Sequence, residues 1–242
     1  MAKALPRLFV ALDTADADAA ANLARVIGDR AGIKIGLELF VALGPEGVRQ
    51  VRRPGQALFL DLKLHDIPNT VAGAVRAAAE LSADLLSLHA SGGRAMTEAA
   101  RHAARTAPAT YGRNGPGLVA VTVLTSLDEE ALAETGQSGP AGEQALRLAR
   151  LAAKSGVGGV VCSAHELACL RAELGPHMRL VVPGLRPRGM AAGDQKRVMT
   201  PGQAAALGAD ILVVGRPIAT AADPAQALSQ TLEEIAAEGG GR

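Results

Sequence analysis

The sequence predicts a (β/α)8 barrel (a TIM barrel), an α/β fold, formed as a single domain by residues 1–242. Three observations support this prediction. Eight short apolar runs recur along the chain, and Ala- and Leu-rich segments with helical spacing separate most of them. One such repeat has about 30 residues, the size of a βα unit. Barrels of this type typically have ~250 residues, so the length leaves little sequence for a second domain.

The predicted strands are nearly continuous apolar runs rather than alternating ones. Strands that are buried on both faces have this composition, and such strands belong to parallel sheets. In chain order, we predict strands over residues 8–13, 32–37, 57–64, 83–90, 117–124, 156–163, 178–185 and 209–216.

The predicted helices lie between these strands, over residues 16–27, 69–81, 94–105, 142–154, 164–174 and 224–237. Asn69 and the pair Asp223-Pro224 are capping signals at two of the helix starts. We predict a weaker helix over residues 38–52, broken at Gly44-Pro45, and a short helix over 203–207.

A doubly wound open sheet is the alternative architecture. It usually has fewer strands and a glycine-rich first turn, whereas the first strand here runs into Leu12-Asp13-Thr14 without a glycine. The eight strand-like runs therefore favour the barrel.

The composition argues against several classes of function. The chain has 25 Lys and Arg against 24 Asp and Glu, which does not suit a general nucleic-acid binder. Aromatic residues make up only 2%, so recognition by stacking bases is disfavoured. No uncharged stretch approaches the roughly 20 residues of a membrane helix, and the first residues lack a signal-peptide core. We expect a cytoplasmic protein that binds neither nucleic acid nor membranes.

The cysteines and histidines do not indicate a metal site. Cys162 and Cys169 are too few for a disulfide framework and lack zinc-site spacing, so we expect two buried, reduced thiols. The five histidines are scattered without ligand spacing. Neither a nucleophile elbow nor a P-loop is present. We therefore expect neither a metal nor a cofactor.

Charged residues lie at the carboxyl ends of predicted strands, where such barrels carry their working groups. Asp13 ends the first strand, Lys34 lies in the second, and Asp61, Lys63 and Asp66 end the third. Side chains two residues apart in a strand share a face, so Asp61 and Lys63 both point into the barrel. Opposite charges there are costly unless they pair or face a ligand. A structural ion pair is the alternative, but the added Lys34 and Asp66 favour a catalytic site.

A phosphate site is predicted at the last two strands. Gly215-Arg216 follows the eighth strand, where a glycine amide and an Arg fork suit an anion and where such barrels usually bind phosphate. Residues 183–201 exceed the usual loop of roughly 2–6 residues, and their Gly, Pro and basic residues suit a lid over an anionic ligand. The alternatives are a solvated arginine and a disordered insertion.

The run Asp61-Leu-Lys63-Leu-His-Asp66-Ile-Pro-Asn-Thr70 resembles the strand-three signature of the orotidine 5′-phosphate decarboxylase family. Other similar motifs, in order over nearly the whole chain, are Leu12-Asp13, Ile33-Lys34-Ile35-Gly36, Leu124-Thr125-Ser126, Pro183-Gly-Leu-Arg186, Gly193-Asp-Gln195 and Val214-Gly215-Arg216. The resemblance implies a metal- and cofactor-free lyase that converts orotidine 5′-phosphate to UMP and CO₂, the last step of de novo pyrimidine nucleotide synthesis. It also implies a homodimer.

The resemblance further implies a role for each matching residue. Lys63 resembles the proton donor to C6, within an alternating charge network of Lys34, Asp61, Lys63 and a partner subunit's Asp66. Substrate-binding roles carry over to Asp13, Lys34, Asp61, Ile67, Thr70, Thr125, Ser126, Pro183, Arg186, Gln195, Gly215 and Arg216. Among these, Asp13 and Lys34 would contact the ribose, together with Asp66 and Thr70 in trans. Thr125 and Ser126 would address the pyrimidine. The phosphate and lid contacts would come from Arg186, Gln195, Gly215 and Arg216.

Two rival functions remain. The first is a related Mg²⁺-dependent barrel enzyme that acts on sugar phosphates and shares the Asp-x-Lys-x-x-Asp pattern. Such enzymes resemble one another in having a Glu on strand two that helps to hold the metal. Here that position is Lys34, whose positive charge would repel Mg²⁺. A catalytically silent phosphate-binding barrel would keep Gly215 and Arg216 but has no need of Lys63 between two carboxylates.

Overall fold

The computed structural model describes residues 5–107, 115–137, 139–188 and 199–239. Within these ranges, eight parallel strands pair each with the next, and β8 pairs with β1, so that the sheet closes. Helices separate the strands along the chain. The predicted (β/α)8 barrel is therefore confirmed.

The eight strands all lie within the predicted apolar runs. They are β1 Leu8–Ala11, β2 Gly32–Gly36, β3 Leu58–Leu64, β4 Leu85–His89, β5 Gly117–Val121, β6 Gly159–Val161, β7 Arg179–Val182 and β8 Ile211–Val214. Each strand buries one face against the barrel interior and the other against helices, which explains why the runs are apolar throughout.

Ten α-helices occupy the described part of the chain. They are α1 Ala17–Ile27, α2 Leu37–Val51, α3 Pro68–Glu80, α4 Gly93–Thr106, α5 Glu129–Glu134, α6 Ala141–Lys154, α7 Leu167–Leu174, α8 Pro201–Ala206, α9 Arg216–Ala219 and α10 Pro224–Gly239. Short 3₁₀ turns precede α4 and α7, at Ala90–Gly92 and Ala164–Glu166. Helices α5 and α9 were not predicted, because they are too short to show a helical period. No described helix is both long and apolar enough to cross a membrane.

The predicted break in α2 is confirmed, because Gly44 has a φ of 62° directly before Pro45. A proline disfavours the helical conformation of the residue before it. The cap at Asp223 is also confirmed, since its side chain accepts from the backbone N–H groups of Ala225 and Gln226.

The predicted cap at Asn69 is wrong. Helix α3 begins at Pro68, and its N-cap is Ile67, whose side chain makes no capping hydrogen bond. A proline suits the first helical position because its φ is preset and it has no N–H to satisfy. The helix therefore starts one residue before the predicted cap.

Two apolar layers surround the strands. The inner layer fills the barrel with Phe9, Ala11, Ala57, Phe59, Leu85, Val119, Val181, Ile211 and Val213. The outer layer, between strands and helices, includes Val10, Ile35, Leu60 and Leu86, all fully buried. The rings of Phe9 and Phe59 meet edge to face at 6.0 Å between centroids. Toward the carboxyl ends of β2, β3 and β4, the interior positions become polar, which places a site there.

Candidate active site

A cavity of about 190 Å³ lies at the carboxyl ends of the strands. Its walls combine charged groups from β2 and β3 with mostly apolar side chains from β3, from β5 to β8 and from the loops after β5, β6 and β7. The lining residues are Lys34, Phe59, Asp61, Lys63, Val121, Val123, Leu124, Thr125, Val161, Cys162, Val181, Pro183 and Val213. The two lysines and one carboxylate therefore face an otherwise mostly apolar chamber.

Four predicted residues form a continuous chain of ion pairs, which we call the charged network: Asp13, Lys34, Asp61 and Lys63. The Nζ of Lys34 lies 3.3 Å from Oδ1 of Asp13 and 3.5 Å from Oδ2 of Asp61. The Nζ of Lys63 lies 2.7 Å from the same Asp61 Oδ2. Charges of alternating sign thus run from the end of β1 across β2 to β3.

The strand register brings this network together. Ala11 pairs with Lys34, and Gly36 pairs with Asp61, so the three strands present their charges at similar heights in the barrel. Gly36 lies close beside the network, because a Cβ at that position would lie 3.0 Å from the Lys34 Nζ.

The Asp61 carboxylate is ionised by its surroundings. Burial on its own would raise the pKa of Asp61, but the ammonium groups of Lys34 and Lys63, with hydrogen bonds from Lys63 and Ser87, hold that pKa below its usual range. Because Asp61 stays charged, it forms an ion pair with each of the two lysines beside it.

Ser87 on β4 also belongs to the site, although it was not predicted from the sequence. Its Oγ donates to Asp61 Oδ1 at 2.7 Å and accepts from the backbone N–H of Lys63 at 2.9 Å. The available signal was a single hydroxyl inside an apolar strand, two residues before His89 and so on the same face.

The backbone at Lys63 is unusual. Lys63 has a φ of 48°, in the left-handed region that side-chain-bearing residues rarely adopt, at a cost of order 1–3 kcal/mol. The pairing of β3 with β4 shifts here, because Leu60 pairs with Leu86 but Leu64 pairs with Leu88. Three residues of β3 therefore face one residue of β4, and this bulge helps to direct the Lys63 side chain.

Two histidines flank the network. The rings of His65 and His89 lie 5.3 Å apart between centroids, tilted by 32°. Burial lowers the pKa of His89, and the nearby His65 and Lys63 lower it further, against a smaller opposing effect of Asp61. At neutral pH, His89 therefore favours its neutral form and adds no positive charge beside Lys63.

The predicted base-binding and phosphate-binding residues are partly brought to this cavity. Thr125 and Pro183 line it, whereas Ser126, in the same exposed turn as Thr125, is not among the lining residues. A Cβ at Gly215 would lie 3.2 Å from Asp13 Oδ2, so this glycine lies directly beside the network. Arg216 is exposed and begins α9.

The loop after β7 is described at its two ends. Arg186 is buried, and its backbone N–H donates to the Met199 carbonyl at 3.1 Å, which joins the ends. Arg188 pairs with Glu238 of α10. The predicted lid covers residues 183–201, and its central part, residues 189–198, lies outside the described residues. Gln195 belongs to this part.

Asp66, Ile67 and Thr70 lie apart from the cavity wall. All three are exposed near the start of α3, and within the described part of the chain no ion pair joins Asp66 to Lys34 or Lys63. One chain alone therefore does not complete the predicted four-residue network.

The two thiols differ, contrary to the expectation that both are buried. Cys162 is buried against the cavity, while Cys169 on α7 is exposed. Burial, and then the nearby Glu166 carboxyl, raise the pKa of the Cys162 thiol. Among the described residues, no group of three or more His, Cys, Asp or Glu side chains could hold a metal ion.

Comparison with known proteins identifies the family. Residues 6–231 match the model of the orotidine 5'-phosphate decarboxylase / HUMPS family. Relatives named orotidine 5'-phosphate decarboxylase include one from Rhodospirillum rubrum, 52% identical over 94% of this chain and 93% of its own. Another, from Paramagnetospirillum magneticum, is 50% identical over 94% of this chain and 97% of its own.

A solved structure supports the same assignment. The crystal structure of orotidine 5'-phosphate decarboxylase from Lactobacillus acidophilus superposes with a TM-score of 0.85 at 35% identity, covering 96% of this chain and 99% of that chain. The family resemblance predicted from the motifs is confirmed. The chain belongs to the orotidine 5'-phosphate decarboxylase / HUMPS family.

Proposed function

We propose that this protein decarboxylates orotidine 5′-phosphate to UMP and CO₂, the last step of pyrimidine nucleotide synthesis, without a metal or cofactor. The observation that carries the proposal is the charged network of Asp13, Lys34, Asp61 and Lys63 at the cavity. It occurs in a chain about half identical to relatives that bear this enzyme's name. A cytoplasmic location, as the sequence predicts, suits an enzyme of nucleotide synthesis.

The chemistry requires a fixed cation at C6 of the pyrimidine. When the bond from C6 to the carboxylate breaks, CO₂ leaves and the electron pair stays on C6, in the ring plane and without a conjugated sink. The ammonium of Lys63 stabilises this charge and donates its proton to C6, forming UMP. The resulting amine regains a proton from solvent. Lys63 suits this role because it lines the cavity.

Asp61 and Lys34 prepare Lys63 before the substrate arrives. Asp61 stays ionised between the two ammonium groups, so it holds the Lys63 side chain in one orientation. Such preorganisation avoids a rearrangement during the reaction. Asp13 fixes Lys34 from the other side, and we assign both residues to the ribose.

The rest of the substrate is assigned to the loops around the cavity. Thr125 and Ser126 are proposed to address the pyrimidine, and the position of Thr125 on the cavity wall supports this. Arg186, Gln195, Gly215 and Arg216 are proposed to bind the phosphate and close the lid, with Pro183 beside them. Because the phosphate is remote from C6, its binding energy is available to lower the barrier there.

A homodimer is proposed to complete the site, with Asp66 and Thr70, next to Ile67, supplied by the partner subunit. Ile67 is 66% exposed, and Leu37 and Val41 of α2 are 53% and 79% exposed. Helix α2 follows the carboxyl end of β2, and Ile67 follows that of the adjacent strand β3. An apolar surface beside the active site suits a second copy of the chain.

The Mg²⁺-dependent alternative is disfavoured by the position of Lys34. Its ammonium lies between the Asp13 and Asp61 carboxylates, the oxygen ligands that a divalent cation would need. The catalytically silent phosphate-binding barrel is disfavoured because phosphate binding alone does not require the ion pairs of Lys34, Asp61 and Lys63 at the cavity.

The test is turnover by purified protein after treatment with EDTA. We expect conversion of orotidine 5′-phosphate to UMP, followed by the change in ultraviolet absorbance and confirmed by chromatography. Absence of turnover in folded protein that binds UMP would favour the catalytically silent phosphate-binding barrel instead. Turnover that EDTA abolishes and Mg²⁺ restores would favour the metal-dependent alternative.

A further inference from the structure

The Ser87 hydroxyl is a polar group in the interior of the barrel. Ser87 lies on β4 and is fully buried at 0% exposure, next to the apolar Leu85 two residues before it. A buried hydroxyl is costly unless it is hydrogen-bonded. This one is used in both directions, because it donates to Asp61 Oδ1 and accepts from the Lys63 backbone N–H.

The hydrogen bond to Asp61 determines how that carboxylate is oriented. The Ser87 hydroxyl donates to Asp61 Oδ1 at 2.7 Å. The other oxygen, Oδ2, then faces both ammonium groups, 2.7 Å from Lys63 Nζ and 3.5 Å from Lys34 Nζ. Rotation of the carboxylate would break the Ser87 bond and lengthen at least one ion pair. Ser87 thus fixes the one oxygen that both lysines share.

The hydrogen bond from Lys63 supports its unusual backbone. At the bulge, the Lys63 N–H is bonded to the Ser87 side chain at 2.9 Å. A buried N–H without an acceptor would disfavour the bulge. Since the bulge and the positive φ of Lys63 direct its side chain, Ser87 also fixes where the Lys63 chain begins.

We propose that Ser87 is a positioning residue for the decarboxylation, holding the Lys63 backbone and the Asp61 carboxylate in one arrangement. This inference rests on the proposed function. Ser87 is absent from the residues that line the cavity, so it acts through Asp61 and Lys63 rather than on the substrate. Its loss should therefore lower the rate of the chemical step while leaving affinity for the nucleotide largely intact.

The test compares three substitutions at Ser87 with a matched control. Ser87→Ala removes the hydroxyl, Ser87→Cys replaces it with a weaker donor of similar size, and Ser87→Thr keeps it. Ser155→Ala removes another buried hydroxyl, which bonds the Leu151 carbonyl at the end of α6, outside the cavity. The readouts are kcat for orotidine 5′-phosphate and Kd for UMP by calorimetry.

We expect Ser87→Ala to lower kcat by about 10²-fold, as for other small misplacements of catalytic groups, with little change in Kd for UMP. Ser87→Cys should behave similarly, Ser87→Thr should recover most of kcat, and Ser155→Ala should match the wild type. The proposal is overturned by a wild-type kcat in Ser87→Ala, or by losses that are equal in kcat and UMP binding.

Two further outcomes are decisive. If Ser87→Ala does not fold, the comparison of Ser87→Cys with Ser87→Thr tests the proposal, because only the variant with a hydroxyl should recover kcat. Equal kcat values in these two variants would overturn the proposal. If the wild type does not turn over orotidine 5′-phosphate, the proposed function and this inference both fail. An active wild type with unaffected Ser87 variants would overturn this inference alone.

Discussion

The Nζ of Lys63 lies 2.7 Å from Oδ2 of Asp61, although the two residues are only two positions apart on one strand. This contact is made where β3 bulges opposite Ser87 and where Lys63 has a positive φ. A strained backbone at this point suggests that the position of the ammonium matters for the chemistry.

Lys63→Ala tests the role of this ammonium. We expect kcat to fall by at least about 10³-fold, within the range for loss of a general acid, while circular dichroism and UMP binding remain close to those of the wild type. Lys154→Ala, which removes an exposed lysine at the end of α6, is the control. Near-normal turnover by Lys63→Ala would remove Lys63 from the proposed role.

Glu166→Gln tests a half-buried carboxyl group outside the charged network. Burial raises the pKa of Glu166 from 4.5 to about 7, against a hydrogen bond from the Ser163 backbone. Between these values, the folded protein binds more protons than the unfolded chain, so its stability falls as the pH rises. Glutamine keeps a side-chain acceptor for Ser163 and does not titrate.

The expected result is a free energy of unfolding that decreases from about pH 4.5 to about pH 7 in the wild type relative to Glu166→Gln, by up to about 3 kcal/mol. Urea titrations at several pH values measure it. The control is Glu173→Gln: a hydrogen bond from Arg150 lowers the pKa of Glu173, so the stability of the wild type relative to this variant should not decrease as the pH rises through this window. A constant difference for Glu166→Gln would contradict the prediction.

The barrel could be predicted from sequence because its strands are buried on both faces. Residues such as Val10 and Leu60 fill the outer layer while Phe9 and Phe59 fill the interior, so each strand is apolar at consecutive positions. Helix α9 could not be predicted in the same way, since it has four residues and no room for a period.

The site was predictable to the extent that it depends on residues close in sequence or at strand ends. Asp61 and Lys63 were found by their alternation. Ser87 was not, because its contact with them depends on the β3–β4 register and on a bulge that has no clear sequence signature. The proposed role of Asp66 in trans likewise depends on a second chain, whose position one sequence does not determine.

Arg216→Ala tests the phosphate assignment. A hydrogen-bonded charge pair contributes about 1.5–3 kcal/mol, so we expect kcat/KM to fall by about 10- to 10²-fold, mainly through KM. Affinity for UMP should fall similarly, whereas affinity for uridine, which lacks the phosphate, should not change. Arg49→Ala, at an exposed arginine near the end of α2, is the control. An unchanged kcat/KM, or equal losses for UMP and uridine, would show that Arg216 does not bind the phosphate.

Mixed dimers test whether Asp66 acts in trans. Lys63→Ala and Asp66→Ala proteins are each expected to be inactive. If each site combines Lys63 of one subunit with Asp66 of the other, a heterodimer of the two variants has one intact site, and random exchange should restore about one quarter of wild-type activity in a two-fold symmetric dimer. Mixing Lys63→Ala with Asp61→Ala is the control, because both residues belong to the same subunit's network: that heterodimer has no intact site. If Asp66 instead acts within its own chain, the first mixture should remain as inactive as the control.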